Sequence, residues 1–171
     1  MMRNTEKKMN EAAALRRLES LCARSEHSEG ELRDKMRGWG LPDEAQDRVM
    51  ATLIQAKYVD DRRFAEAFVH DKIVFNGWGR RKIEQALWAK HVDEAVYTPV
   101  LDAVDDALYL KALRPLVRQK YRSVKADSEY ERVVKVMKYA TGRGFDFEQV
   151  RHCLDEMVKE MGENGAVTDE Q

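Results

Sequence analysis

Gly79-Arg80-Arg81-Lys82 is the segment of this chain with the most evident chemistry. It sets three cations at the start of a helical pattern, where backbone N–H groups lack intrahelical acceptors and the helix dipole is already positive. Like charge in that position opposes the helix by about 0.3 kcal/mol or more per residue. An anion would relieve the conflict, and phosphate held at a helix N-terminus beside an arginine is a recurrent arrangement. Trp78 precedes the segment and could stack on a nucleobase or pack down as an apolar plug. A solvated charged turn is the plainer reading, and both stand at this point. Lys90, later in the same pattern, belongs to the cluster. Charge alone marks a second stretch, in which Arg118, Lys120, Arg122 and Lys125 follow Arg114.

Other reactive residue types are present without the company that catalysis requires. Asp60-Asp61 and His70-Asp71 offer metal-ligand chemistry, but the aspartates stand where a helix begins and His70 lies about three turns further on, so capping explains them. His27, His91 and His152 have no nucleophile or second ligand at useful spacing. No serine elbow or glycine-rich nucleotide loop occurs. The reading is of a protein that is not an enzyme, with no catalytic residues, cofactor or metal.

Composition confines the remaining classes. The 171 residues are 43% hydrophobic, enough for a core, and 36% charged, with 30 basic against 31 acidic side chains. A near-neutral total gives no global attraction to nucleic acid or membrane, so any such surface must be local. No run reaches the roughly 20 apolar residues that span a bilayer, and the expectation is a soluble cytoplasmic protein. Cys22 and Cys153 are far apart and suit buried thiols in a reducing compartment.

The elements that must position these residues repeat. Leu32, Met36, Leu41, Met50 and Leu53 are matched about 51 residues later by Ile83, Leu87, Val92, Leu101 and Val104, and again by Val133, Met137, Phe145, Leu154 and Met157. Helical periodicity runs throughout, and strand-like alternation does not occur. The fold class expected is all-α, an elongated array of three tandem three-helix repeats: 10–58, 59–106 and 107–161, followed by a disordered acidic tail over 162–171. Ser28 should cap one helix, Pro42-Asp43-Glu44 should start another, and Gly38, Gly40, Gly142 and Gly144 should stop helices. Pro99 predicts a kink or late start, and Pro115 predicts a helix start nearby.

These residues resemble the RecX family, bacterial regulators of the RecA recombinase. Tyr58-Val59-Asp60-Asp61-Arg62-Arg63-Phe64-Ala65 is similar to that family's hallmark segment. Gly77-Trp78-Gly79-Arg80-Arg81-Lys82-Ile83 with Leu87 and Lys90 is similar to its next one, and Arg143-Gly144-Phe145 with Val150 and Leu154 to its closing one. The resemblance spans roughly residues 12 to 160. It implies an array lying in the groove of the RecA filament on single-stranded DNA, restraining filament growth, ATP hydrolysis, strand exchange and co-protease activity, with duplex DNA bound at most weakly and the protein acting as a monomer. Carried over, Asp60, Asp61, Arg63, Phe64 and Gly79 are motif residues of mainly structural role, with an aspartate capping its helix and pairing with an arginine. Arg80, Arg81, Lys82 and Lys90 are the contact candidates. The alternative is a helix-turn-helix transcription regulator, because three-helix units with glycine turns also describe that motif. It requires a dimer and a basic recognition helix, whereas 93–106 and 146–160 are acidic on balance.

Overall fold

The computed structural model describes residues 9–166. They form the helices α1 Glu11–Arg24, α2 Glu29–Gly38, α3 Asp43–Gln55, α4 Asp61–Val74, α5 Arg80–Ala89, α6 Glu94–Asp102, α7 Asp106–Ser123, α8 Glu129–Gly142 and α9 Phe147–Ala166, with no strand among the described residues. Helix starts follow local chemistry. Asn10 Oδ1 accepts from Ala13 N at 2.7 Å, and Asp105 Oδ1 from Ala107 N at 3.0 Å. Ser28 completes a reciprocal capping box with Glu31, which satisfies two amides that the helix itself cannot. Pro42 makes no side-chain cap, so α3 begins through its proline geometry and the acids Asp43 and Glu44.

The middle helix of each repeat ends in the same way. Gly40 (φ 78°), His91 (φ 59°) and Gly144 (φ 98°) adopt the left-handed conformation. After each of them a backbone amide reaches back into the helix: Leu41 N to Met36 O at 3.0 Å, Val92 N to Leu87 O at 3.1 Å, and Phe145 N to Ala140 O at 3.3 Å. This is the bond that closes a helix C-terminus and turns the chain. Met36, Leu87 and Ala140 are therefore equivalent, which corrects the third copy of the pattern. Val136 and Ala140 are buried, whereas Val133 and Met137 are only partly so. Alanine at the equivalent of a methionine and a leucine hides the position from a reading based on large apolar side chains.

Pro115 departs from expectation, and at Pro99 the late start does not occur. α7 begins at Asp106, so Pro115 lies deep inside an 18-residue helix rather than near its start. Loss of the amide at 115 costs about 3 kcal/mol in a regular interior. The helix continues because Tyr109, Leu113 and Val117 are anchored on its inner face, where each fully buried aliphatic side chain contributes about 1.5–3 kcal/mol. Pro99 sits inside α6, which starts without delay at Glu94. α9 remains helical past Gly162 to Ala166; residues 167–171 of the expected tail lie outside the described residues.

The chain gathers into two compact units that do not follow repeat boundaries. One comprises the described residues up to Phe68 together with Ala86–Val100, and the other Val69–Gln85 together with the chain from Leu101. In the first, α1 and α2 pack on α3 around Leu18, Leu32, Met36, Val49, Met50 and Leu53, with Cys22 half-buried at the edge. In the second, α7 packs on α8 and α9, and Cys153 is buried, its thiol pushed up to about 11 mainly by that burial.

Candidate functional site

In the first unit the Asp60–Phe64 segment builds a joint. Asp60 Oδ1 caps α4 by accepting from Arg63 N at 3.1 Å. Asp61 Oδ1 instead accepts from Glu29 N at 2.9 Å, capping α2, a helix of the preceding repeat. Burial pushes the Asp61 carboxyl up, the Glu29 amide draws it down, and Asp60 and Glu31 add to the rise. Arg63 finds its partner in Glu26 at 2.6 Å rather than in either aspartate, and also donates to the carbonyls of Lys57 and Tyr58. Phe64 is buried and stacks on Phe68, ring centroids 5.6 Å apart. Lys90 donates to Glu31 at 2.5 Å, and its ammonium lies 5.8 Å from the Phe68 ring centroid. Its charge is committed within the unit.

An equivalent joint in the second unit changes the reading of Gly79-Arg80-Arg81-Lys82. Two of the amides expected to be open to an anion are occupied: Gly79 N donates to Arg143 O at 2.8 Å and Arg81 N to Gly144 O at 3.1 Å. The start of α5 is capped by the turn between α8 and α9, just as Ser28 at the start of α2 faces Lys90 O at 3.5 Å. A Cβ on Gly79 would collide with the Gly144 carbonyl carbon and the Phe145 amide nitrogen, and one on Gly144 with Lys82. Glycine is required at both positions by backbone-to-backbone approach. With Gly144 packed against Gly79 and Lys82, the segment offers an anion chiefly its side chains.

Those side chains have diverged. Arg80 pairs with Asp102 at 2.6 Å and Arg118 with Glu160 at 2.6 Å. Lys82 and Lys72 lie 4.5 and 4.8 Å from the centroid of one ring, that of half-buried Trp78. Lys120 lies 4.9 Å from the Tyr139 ring centroid, and Arg143 5.9 Å from the same ring while donating to the carbonyls of Gly77 and Asn76. Among the described residues no acid or hydrogen bond engages the side chains of Arg81, Arg122 or Lys125, and all three residues are exposed. The second unit thus joins Lys72, Lys82 and Trp78, through the carbonyls at 76 and 77, to Arg143, Tyr139 and Lys120. Lys72 belongs by sequence to the same basic cluster, whereas Tyr139 and Arg143 were not singled out for contact. The turn Arg143-Gly144-Phe145 was the available signal, because the residue before a left-handed glycine has its position fixed by that turn.

Tyr109 completes the surroundings of Arg80. Its phenol is pushed up to about 12, chiefly by burial, with Arg80 opposing and Asp106 and Glu84 reinforcing, and its Oη has no hydrogen-bond partner. No group of three His, Cys, Asp or Glu side chains among the described residues could hold a metal ion, and no helix there is long and apolar enough to cross a membrane.

Known proteins share this arrangement. Residues 13–53, 60–100 and 107–154 match the family models described as the first, second and third three-helix domains of RecX. The regulatory protein RecX of Vibrio vulnificus is 30% identical over 138 residues, covering 80% of this chain and 87% of the relative. A crystal structure of regulatory protein RecX superposes with a TM-score of 0.78 at 21% identity, covering 85% of this chain and 73% of that one. RecX from Lactobacillus salivarius gives 0.77 at 17%, covering 85% and 95%. The two structures carry the fold; the sequence relative and the three domain matches carry the kinship.

Proposed function

Because the chain belongs to the RecX family of regulatory proteins, we propose that it binds the RecA filament on single-stranded DNA and restrains filament growth, ATP hydrolysis, strand exchange and co-protease activity. It does so in the cytoplasm, as a monomer, by occupying a surface and with no chemistry of its own. A binder of this kind shifts filament states only by its differential affinity for them. The observation that supports a polyanionic or filament contact is the second unit's set of uncommitted cations, Arg81, Arg122 and Lys125, beside lysines backed by Trp78 and Tyr139. Aromatic rings next to cations suit single strands, whose bases present faces for stacking and whose phosphates need charge.

The test is ATP hydrolysis by RecA on single-stranded DNA while this protein is titrated in. Turnover is expected to fall, and no effect at several-fold excess over RecA protomers rejects the function. The double variant Arg81→Glu, Lys125→Glu should keep its helicity and melting while needing severalfold more protein for the same inhibition, with a shallower salt dependence of DNA binding. Unchanged inhibition by that variant rejects the contact surface and leaves the function standing.

A further inference from the structure

The second unit carries a surface of a different kind, which borders the Asn76–Gly77 turn to which Arg143 donates. The end of α4 and the outer face of α7 enclose a hollow of about 340 Å³ floored by Ile73, Leu108, Ala112, Pro115 and Leu116. Such a volume falls within the range of about 300–1,000 Å³ typical of small binding clefts. Phe75 stands at its lip 77% exposed and Val74 beside it 44% exposed, so open apolar surface adjoins the hollow. Lys111 also lines the hollow and has no acidic partner among the described residues. No lining residue is acidic. Across Pro115 a second depression continues along α7, lined by Arg114, Arg118 and Arg122. Glu156 and Glu160 hold the first two, so Lys111 and Arg122 remain as free charge at the two ends of the track. Pro115 adds a polar feature, since it has no amide to give to the Lys111 carbonyl, and that acceptor belongs to a residue of the wall.

We propose that this α4–α7 hollow docks an acidic peptide segment of a partner protein, its apolar side chain seated against Phe75 and Pro115 and its carboxylates lying along Lys111 and Arg122. Charge selects an acidic occupant. The aliphatic floor favours a peptide over nucleic acid, because a sugar–phosphate strand has nothing apolar of that size to fill it, and the ring among the lining residues, Phe75, stands at the lip while the floor itself is aliphatic. Helix-in-groove recognition uses the same combination of one or two apolar anchors with polar flanks. The proposal stands independently of filament regulation. Arg122 is common to both surfaces, and the variants below leave it untouched.

Random-peptide display against the immobilised full chain tests it, with Phe75→Ser and Lys111→Glu proteins as comparison targets. Both residues lie outside the core, and far-UV circular dichroism checks that the variants stay folded. Enriched peptides should pair a leucine or aromatic anchor with acids within a turn or two, and should bind each variant about tenfold or more weakly. Peptides with lysine in place of those acids should bind Lys111→Glu better than wild type. Enrichment without that pattern, equal binding to both variants, or no enrichment overturns the proposal. So does direct binding of an oligo-dT strand that is lost in Lys111→Glu while no peptide binds, which would make the surface a nucleic-acid track.

Discussion

Arg80 and Arg81 are adjacent, identical in type and opposite in situation. Arg80 is tied to Asp102 and lies near Tyr109, whereas Arg81 has only its backbone amide engaged. Arg80→Ala should therefore cost up to about 1 kcal/mol of stability, the worth of a half-exposed ion pair, and leave DNA or filament binding nearly unchanged. Arg81→Ala should do the reverse; urea titrations and binding isotherms of the two variants provide the check. Tyr109 makes a sharper case, because its hydroxyl is buried with no partner, and an unsatisfied buried hydroxyl costs about 1–3 kcal/mol. Tyr109→Phe should hold or raise the melting temperature. With a folded value of about 12 against an unfolded value near 10, the native state keeps its proton longer than the unfolded chain does. The stability this gives is complete below pH about 10 and is lost as pH rises toward 12, so wild-type stability should decline across that window and the phenylalanine variant should lose that share of the decline.

At the scale of the element, the two joints decide what can change. Gly79→Ala and Gly144→Ala each drive a Cβ into backbone and should cost roughly 2 kcal/mol or more, whereas Gly142→Ala meets nothing within 4 Å and should be neutral or stabilising by up to about 1 kcal/mol. Chemical denaturation of the three variants separates a packing requirement from a mere helix stop. The same joints explain what the sequence could convey. Helix starts at Ser28 and Pro42 and stops at Gly40 and Gly144 were legible because caps and left-handed turns act within a few residues. The register of the third repeat was not, since Ala140 carries too little apolar surface to mark its own burial. The closure of the α5 N-terminus was hidden for a different reason: its acceptors are the carbonyls of Arg143 and Gly144, which any residue types could supply from a distant part of the chain. The cation cluster itself was visible, but its division into paired, ring-backed and free members depends on acids such as Asp102 and Glu160 being brought close by folding.

For the whole molecule, the three repeats of the sequence and the two compact units are different partitions of one chain. α4 and α5 each contribute to both units, so a repeat boundary is not where packing changes hands. Native-state hydrogen exchange should report this: destabilising Gly144 should raise exchange in Val69–Gln85 together with α7, α8 and α9, and much less in α1 to α3. Raised exchange that stops at the start of the third repeat would contradict it. Near-zero net charge likewise conceals a local division, with Asp102, Glu156 and Glu160 of the second unit committed to arginines and a few cations left unpaired, so its affinity for polyanions should fall with salt in proportion to those few contacts and not to the chain's 30 basic residues.

An indole flanked by two ammonium groups is also an instrument. Whatever draws Lys72 or Lys82 away from Trp78 alters the field across the ring, and with it the colour and intensity of its emission. Trp39, under the Arg17 guanidinium, and Trp88, open to solvent, can be replaced by phenylalanine. The remaining fluorophore then reports occupancy of that surface in real time and without a dye, from the chain's own light.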